Sequence, residues 1–446
     1  MPVKKSETYL NRSIDPILLD WKTSLDRKPL LLRGARQVGK SSAIRALSAH
    51  FEYYVEVNFE ENRSIHTLFA GDLNPQQICE NLSAVLNVPI IAGKTLLFFD
   101  EIQACLPAIS ALRFFYEKMP DLHVVAAGSL LEFALDELPS YGVGRVRSLF
   151  VYPFSFDEFL LAIGEVHLLK MKQNAHVHVP LQSILHEKLL DLFKKFLLVG
   201  GMPEAVLKYV QGRGLLEVQL VLDDLLVSVK ADFAKYKKKV PSLRVLEVFE
   251  SVAMQMGGKF VYTKAVTEAK LVQIKEAVNL LIMAGLVIPV THSAANGIPV
   301  GAESDHKKRK MLLYDTGIFQ RILGLNLSDI ILSADFNSIN KGALVELCIG
   351  LELLKYSNPY HSENLYYWHR ETASSNAEVD YVYQKDTEIL PIEVKAVHSG
   401  AMQSMYQFLK EKQRNKGIRF SFENFGSVDG IDIYPVYAVQ NFVNSV

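Results

Sequence analysis

Cysteine is scarce: Cys79, Cys105 and Cys348 are the only three in 446 residues, and no two form a C-x-x-C pair. That count and spacing argue against a disulfide framework and against a cysteine zinc site, and they fit a reducing cytoplasm. Charge of one sign is lacking too, since 48 Lys and Arg stand against 49 Asp and Glu. The chain as a whole is no polycation, so any nucleic acid must be met through a local basic patch. Long apolar runs are missing. The longest, VNLLIMAGLVIPV, is too short to span a bilayer, so no membrane partner is expected. The opening MPVKKSETYLNRSID holds no apolar stretch of signal-peptide length. There is no low-complexity segment and no internal repeat. What remains is 49% hydrophobic and 22% charged, an ordinary globular composition. A cytoplasmic protein of roughly three domains is expected.

The first third alternates short apolar strands with helical stretches. After a polar helical opening, LLLR leads into a glycine-bounded loop and a helix, and strands recur at 53–59, 95–100 and 122–129. That alternation predicts an α/β domain with a parallel sheet. The loop is Gly34-Ala35-Arg36-Gln37-Val38-Gly39-Lys40-Ser41, followed by Ser42, and fits GxxxxGK[ST] between a strand and a helix. Its glycines let backbone N–H groups wrap phosphates, Lys40 brings charge to the outer phosphates, and the Ser41 hydroxyl suits Mg2+. The second half of such a site is a buried strand ending in a carboxylate, and TLLFFDEIQ supplies it. Asp100 is placed to hold the Mg2+ shell, and Glu101 to orient or deprotonate the attacking water. ATP and Mg2+ are the expected cofactors.

The strings GARQVGKS, LLFFDEIQ, VVAAGS, GRVRSLFVYPFSFDEFL and LVGGMPEAV resemble the AAA+ ATPases. The resemblance is to the bacterial and archaeal group in which a small AAA+ module precedes a conserved domain of unknown function. It covers nearly the whole chain, and the last two strings are its specific part. It implies that Ser129 senses the γ-phosphate and that Arg145 and Arg147 are offered as arginine fingers. The other reading of the arginines is a solvated pair on a surface loop. AAA+ proteins often form rings, so a homo-oligomer is an expectation of the resemblance alone.

Near the C-terminus, AEVDYVYQKDTEILPIEVKA reads as two alternating strands around a polar turn. A hairpin symmetric about Asp386-Thr387 sets Asp380 opposite Glu393 and Glu378 opposite Lys395. Opposed Cβ atoms lie about 5 Å apart, close enough for two carboxylates to share a divalent ion beside a lysine. Asp380 with Glu393-Val394-Lys395 resembles the active-site pattern of the PD-(D/E)XK nucleases. That family adds a glutamate from a preceding helix, which Glu346 in KGALVELCIGLELL matches. Asp380, Glu393 and Glu346 are then metal ligands and Lys395 a catalytic group. The alternative is a structural hairpin with solvated charges.

Between these parts, KFVYTKAVTEAKLVQIKEAVNLLIMAGLVIPV resembles a winged-helix unit whose recognition helix, about 271–284, offers Gln273 and Lys275 to DNA. A packing spacer is the other reading. Lys230, Lys235, Lys237, Lys238 and Lys239, and likewise HKKRK at 306–310, are either phosphate contacts or solvated charge. His176 and His178 alternate in a polar loop, and the histidines are expected to form no metal site. The domains expected are 1–155, a P-loop AAA+ ATPase core; 156–240, a helical lid or linker; 241–310, winged-helix-like; and 311–446, an α/β restriction-endonuclease-like domain. The function this implies is an ATPase whose nucleotide state controls a Mg2+-dependent nuclease acting on DNA or another nucleic acid. An ATP-gated DNA- or protein-binding scaffold that does not cut is the alternative. An autonomous transcription regulator is a third reading, against which the thin base-reading helix counts.

Overall fold

The computed structural model describes residues 9–138, 142, 144–236, 240–266, 268–324, 341–371, 377–396 and 402–445. The chain divides into two compact units. One holds the chain up to Tyr152 together with Asn358–Ser362, and the other holds Pro153–Ser357 with Glu363–Val446.

In the first unit the strands are β1 (Leu30–Arg33), β2 (Tyr53–Asn58), β3 (Thr95–Asp100), β4 (His123–Ala127) and β5 (Arg147–Phe150). They form a five-stranded sheet in the order β2-β3-β4-β1-β5, with every neighbouring pair parallel. Helices α1 (Ile14–Thr23), α2 (Lys40–Ser48), α3 (Pro75–Leu86), α4 (Leu106–Lys118) and α5 (Leu131–Glu137) accompany it. β3 and β4 are buried along their whole length, which is why they read as unbroken apolar runs rather than alternating ones. The core beside them is aromatic: Phe99 lies 5.6 Å from Phe59 and 5.9 Å from Phe115, ring centre to ring centre.

The second unit begins with helices α6 (Phe156–Ala162), α7 (Val166–Asn174), α8 (Ser183–Val199), α9 (Pro203–Val210), α10 (Gly214–Asp232), α11 (Ser242–Met254), α12 (Tyr262–Ala265) and α13 (Leu271–Met283). Ser155 and Glu158 form a capping box that starts α6, so the string SFDEF encodes a helix start as well as buried Phe156 and Phe159. The strands that follow are β6 (Val287–Ser293), β7 (Ser304–Leu313), β8 (Leu365–His369), β9 (Glu378–Lys385), β10 (Glu388–Val394), β11 (Gly417–Ser421), β12 (Gly426–Val428) and β13 (Ile431–Pro435). They make one mixed sheet, β12-β13-β11-β10-β9-β8-β6-β7. Helices α14 (Thr316–Ile322), α15 (Lys341–Lys355), α16 (Gln403–Glu411) and α17 (Val439–Asn444) complete the unit. The segment 241–310, expected as winged-helix-like, supplies α11, α12 and α13. Its strand β6 pairs with both β7 and β8, so these strands extend the same sheet as the C-terminal hairpin. Among the described residues no helix is long and apolar enough to cross a membrane.

The VGGMPEA string has a packing reason. Gly201 N donates to Asp315 Oδ2 at 2.7 Å, and Phe154 N donates to Gly201 O at 2.6 Å. A Cβ on Gly201 would land on the Phe154 carbonyl oxygen and backbone nitrogen. Gly201→Ala is therefore expected to destabilise the second unit by roughly 1–3 kcal/mol, the range for forced overpacking. Gly297→Ala, where nothing lies within 4 Å, should stay within about 0.5 kcal/mol. Denaturant unfolding of the two variants checks both.

Candidate functional sites

β1 delivers the chain into the phosphate loop, and two glycines shape it. Gly34 (φ +138°) presses its α-carbon against the Val151 carbonyl, and Gly39 (φ +96°) stands at the N-cap of α2. Both conformations suit glycine, and the helix N-terminus they open points donors into the loop. Lys40 is buried, and its Nζ donates to Gly34 O at 2.9 Å and Ala35 O at 2.7 Å. Burial lowers its pKa to about 8, against the pull of Glu101 and Asp100. From α1's leading turn, Arg12 Nη1 donates to Val38 O at 3.0 Å and Nη2 to Tyr152 O at 2.7 Å. The loop is thus braced by a residue that the motif does not contain.

β3 and β4 bring the remaining groups to the same carboxyl edge of the sheet. Ser41 Oγ donates to Asp100 Oδ1 at 2.9 Å. Burial raises the Asp100 pKa, Ser41 opposes it, and Glu101 adds to it. Glu101 sits in a left-handed backbone conformation (φ 49°). Its Oε2 accepts from Gln103 Nε2 at 2.6 Å, from Ser129 Oγ at 3.3 Å and from Ser129 N at 3.4 Å. Lys40, Ser41, Asp100, Glu101 and Ser129 are therefore gathered at one edge, because β4 lies between β1 and β3 and all three run the same way. Gln103 was missed, although it stands inside the quoted motif. A Cβ at Gly128 would land on its side-chain oxygen, which accounts for the glycine before Ser129.

The two arginines lie elsewhere. Arg147 pairs with Leu30, at the start of β1, whereas the phosphate loop follows Arg33, roughly 10 Å of strand away. Its guanidinium lies over Tyr360 at 5.4 Å. Arg145 Nε donates to Glu117 Oε1 at 3.2 Å, near the end of α4. Neither is brought to the phosphate loop of its own chain.

The second site lies on the C-terminal hairpin. Tyr381 pairs with Ile392 and Lys385 with Glu388, the register expected from symmetric closure, which brings Asp380 and Glu393 opposite each other. Asp380 Oδ2 accepts from Val394 N at 2.7 Å, and Lys395 Nζ meets Glu393 Oε1 at 2.5 Å. Glu393 Oε2 is buried with no hydrogen-bond partner among the described residues. Glu346 joins the group from α15, but its oxygen is taken up: Lys310 Nζ lies 3.0 Å from Glu346 Oε1, 2.6 Å from Glu378 Oε1 and 3.8 Å from Asp380 Oδ1. Lys310 is 2% exposed. Neither reading of HKKRK, phosphate contact or solvated charge, anticipates it. β7 passes from exposed to buried at this residue, and the signal was the apolar MLLY that follows directly. Gly350, on the same helix, allows the Tyr381 phenol to pack against its backbone and donate to Glu346 O at 2.7 Å.

Burial lowers the Lys310 pKa, but Glu346, Asp380 and Glu378 outweigh it and the net shift is upward. Burial and Asp380 push Glu346 up to about 7 against Lys310. Burial also raises Asp380, opposed by Lys310, and Glu393, opposed by Lys395.

On α13, Gln273 is half-buried and Lys275 exposed, beside exposed Val272 and Glu276. Lys230 donates to Glu250 at 2.8 Å and Lys235 meets Asp232 at 3.2 Å, whereas Lys237, Lys238 and Lys239 lie outside the described residues. The His176 and His178 rings are 6.1 Å apart. One ring nitrogen each of His292 and His369 lies within 4.8 Å of a Glu371 carboxylate oxygen, a grouping that no spacing in the sequence announces.

Removing the buried ammonium should be costly. Lys310→Met is expected to destabilise the second unit by about 3–5 kcal/mol, because two carboxylates lose their buried partner. Raised carboxyl pKa values mean that the folded state holds extra protons, so stability falls as pH rises from 4.5, the ordinary glutamate value, to about 7. Glu346→Gln should flatten that fall. Denaturant midpoints measured across this range check both outcomes.

The chain matches known families by domain. Residues 26–160 match the family described as AAA domain, residues 190–329 match one domain of unknown function and residues 341–439 match another. No curated protein matches the chain. Among solved structures, a Walker-type ATPase of Pyrococcus abyssi is 15% identical, covering 71% of this chain and 96% of that one at a TM-score of 0.45. The Aeropyrum pernix ORC1 protein in complex with DNA is 14% identical, covering 70% and 92% at 0.29. A signal-transduction ATPase with a tetratricopeptide-repeat sensor from Pyrococcus horikoshii is 10% identical, covering 80% and 48% at 0.27. The family match and the parallel sheet with its phosphate loop give the first unit its description: it carries an AAA-type ATPase domain.

Proposed function

We propose that the chain binds and hydrolyses ATP with Mg2+, and that its nucleotide state controls a nuclease-like site in the second unit. The observation that carries the first half is the meeting of Lys40, Ser41, Asp100, Glu101 and Ser129 at one sheet edge. Mg2+ fits there, because the Ser41 hydroxyl and the buried Asp100 carboxylate already face each other at 2.9 Å. Mg2+ held there would supply positive charge against the phosphates. Lys40 exchanges two loop carbonyls for the outer phosphates, and its lowered pKa returns upward beside them. Glu101 accepts a proton from the attacking water. Ser129 and Gln103 hold its carboxylate and set when it is free to do so. Arg145 or Arg147 acts as a finger only on a neighbouring copy's nucleotide, so this reading includes a homo-oligomer. The proposed location is the cytoplasm.

Chain connectivity supports the coupling. The chain leaves β5 at Phe150 and enters the second unit at Pro153, then returns to the first unit as Asn358–Ser362 between α15 and β8. There Phe150 N donates to Pro359 O at 2.8 Å. A shift of β5 on nucleotide binding is thereby passed to the helix that carries Glu346.

For the second site, Asp380 and the unpartnered Glu393 Oε2 suit a divalent ion, which would activate water and neutralise a scissile phosphate on DNA or another nucleic acid. Lys395 stabilises the developing charge. Lys310 favours a second reading, a scaffold that binds without cutting, because it already neutralises Glu346 and Glu378. Glu101→Gln should keep ATP binding and lose hydrolysis by roughly 10²–10⁴-fold, as read by phosphate release. Lys395→Ala should abolish Mg2+-dependent cleavage of nucleic acid and leave ATP turnover unchanged. Cleavage absent in the wild type under every metal and nucleotide condition would select the scaffold.

A further inference from the structure

His292 and His369 stand 77 residues apart, yet their ring centres lie 4.5 Å apart. The parallel pairing of β6 with β8 sets His292 beside Tyr367, and His369 and Glu371 follow at two-residue steps, the spacing that keeps side chains on one face. One ring nitrogen of each histidine and a Glu371 carboxylate oxygen lie within 4.8 Å of one another. His292 is 3% exposed.

The hydrogen bonds around the rings fix which nitrogens are left. His292 Nε2 meets His369 O at 3.3 Å, and His369 Nδ1 meets Arg370 O at 3.0 Å. A carbonyl only accepts, so each of those nitrogens carries the ring proton. The lone pairs are then on His292 Nδ1 and His369 Nε2, and both atoms are buried without a hydrogen-bond partner. A ring N–H tied to a backbone carbonyl, with the other nitrogen free, is how ligating histidines are oriented. His292 Nδ1 lies 3.9 Å from Glu371 Oε1, and the same carboxylate is held from the other side by Lys308.

We infer that His292, His369 and Glu371 form a binding site for a borderline divalent metal of the Zn2+ class. Two imidazoles and a carboxylate match the N,N,O donor set that leaves a fourth position open. That position faces a cleft of ≈ 560 Å³ lined also by Trp368, Lys410 and Lys412, so water or an anion completes the coordination. The site is separate from the oxygen-only pair Asp380 and Glu393. Tyr367 stands between the two, its ring 5.6 Å from His292 and 5.4 Å from Lys310 Nζ.

The test uses the full-length chain stripped with a chelator. Zn2+ is titrated against a chromophoric competitor in excess Mg2+, and Co2+ is added in parallel for its visible d–d bands. The wild type should take up one Zn2+ per chain, undisplaced by Mg2+, and give the intense bands of a four-coordinate Co2+ site. Glu371 is 60% exposed, so Glu371→Gln will fold. It and His369→Ala, its fold checked by circular dichroism, should each weaken Zn2+ by at least the roughly 10–100-fold that loss of an outer partner alone costs. No Zn2+ uptake by the wild type, or uptake that Glu371→Gln leaves unchanged, would overturn the site.

Discussion

An ammonium group taken out of water must be given acceptors by the chain that buries it, since its desolvation costs several kcal/mol. Lys40 and Lys310 are two such groups, one in each unit, and their acceptors differ in kind. Lys40 rests on two carbonyl oxygens of its own loop. Those are neutral groups that it can leave when phosphate is offered. Lys310 rests among Glu346, Glu378 and Asp380. It cannot leave without stripping Glu346 and Glu378 of their partner. In the proposed function the first lysine is the one that is exchanged, and the second is a fixed counter-charge.

That difference sorts the charged groups around each. In the first unit Glu101 is held by Ser129 and Gln103, and Asp100 by Ser41 and, at 3.8 Å, Arg45, rather than by Lys40. Their negative charge therefore remains available to a cation or to a proton from water. In the second unit Glu346 and Glu378 are committed to Lys310. Beside them Asp380 and Glu393 retain capacity, one through its distant oxygen and one through an oxygen with no partner among the described residues. If the hairpin site acts on a ligand through a metal ion, that pair is where it does so.

Local pattern made the first site legible. The phosphate loop and the strand ending in Asp100 each announce themselves within ten residues, because parallel strands buried on both faces leave uninterrupted apolar runs. The hairpin register was legible for the same reason: a short polar turn leaves little choice in pairing. What escaped was contributed from far away. Arg12 reaches Val38 O from just before α1, in a stretch that carries no motif. Lys310 meets Glu346 and Glu378 through tertiary packing, and the rest of its basic run is exposed or half-buried. His292 and His369 are joined by a parallel pairing across a long excursion of the chain. Single residues whose meaning depends on the partner that packing brings leave no periodic trace in the sequence.

The central claim is that Lys40, its pKa lowered by burial, is the group that receives the phosphates. Calorimetric titration of the full chain with Mg2+ and ATP at pH 8.5, in buffers of different ionisation enthalpy, tests it directly. With the Lys40 pKa lowered to about 8 in the free chain, binding should take up a large fraction of one proton as polyphosphate restores the ammonium. Binding with no proton uptake would contradict the assignment.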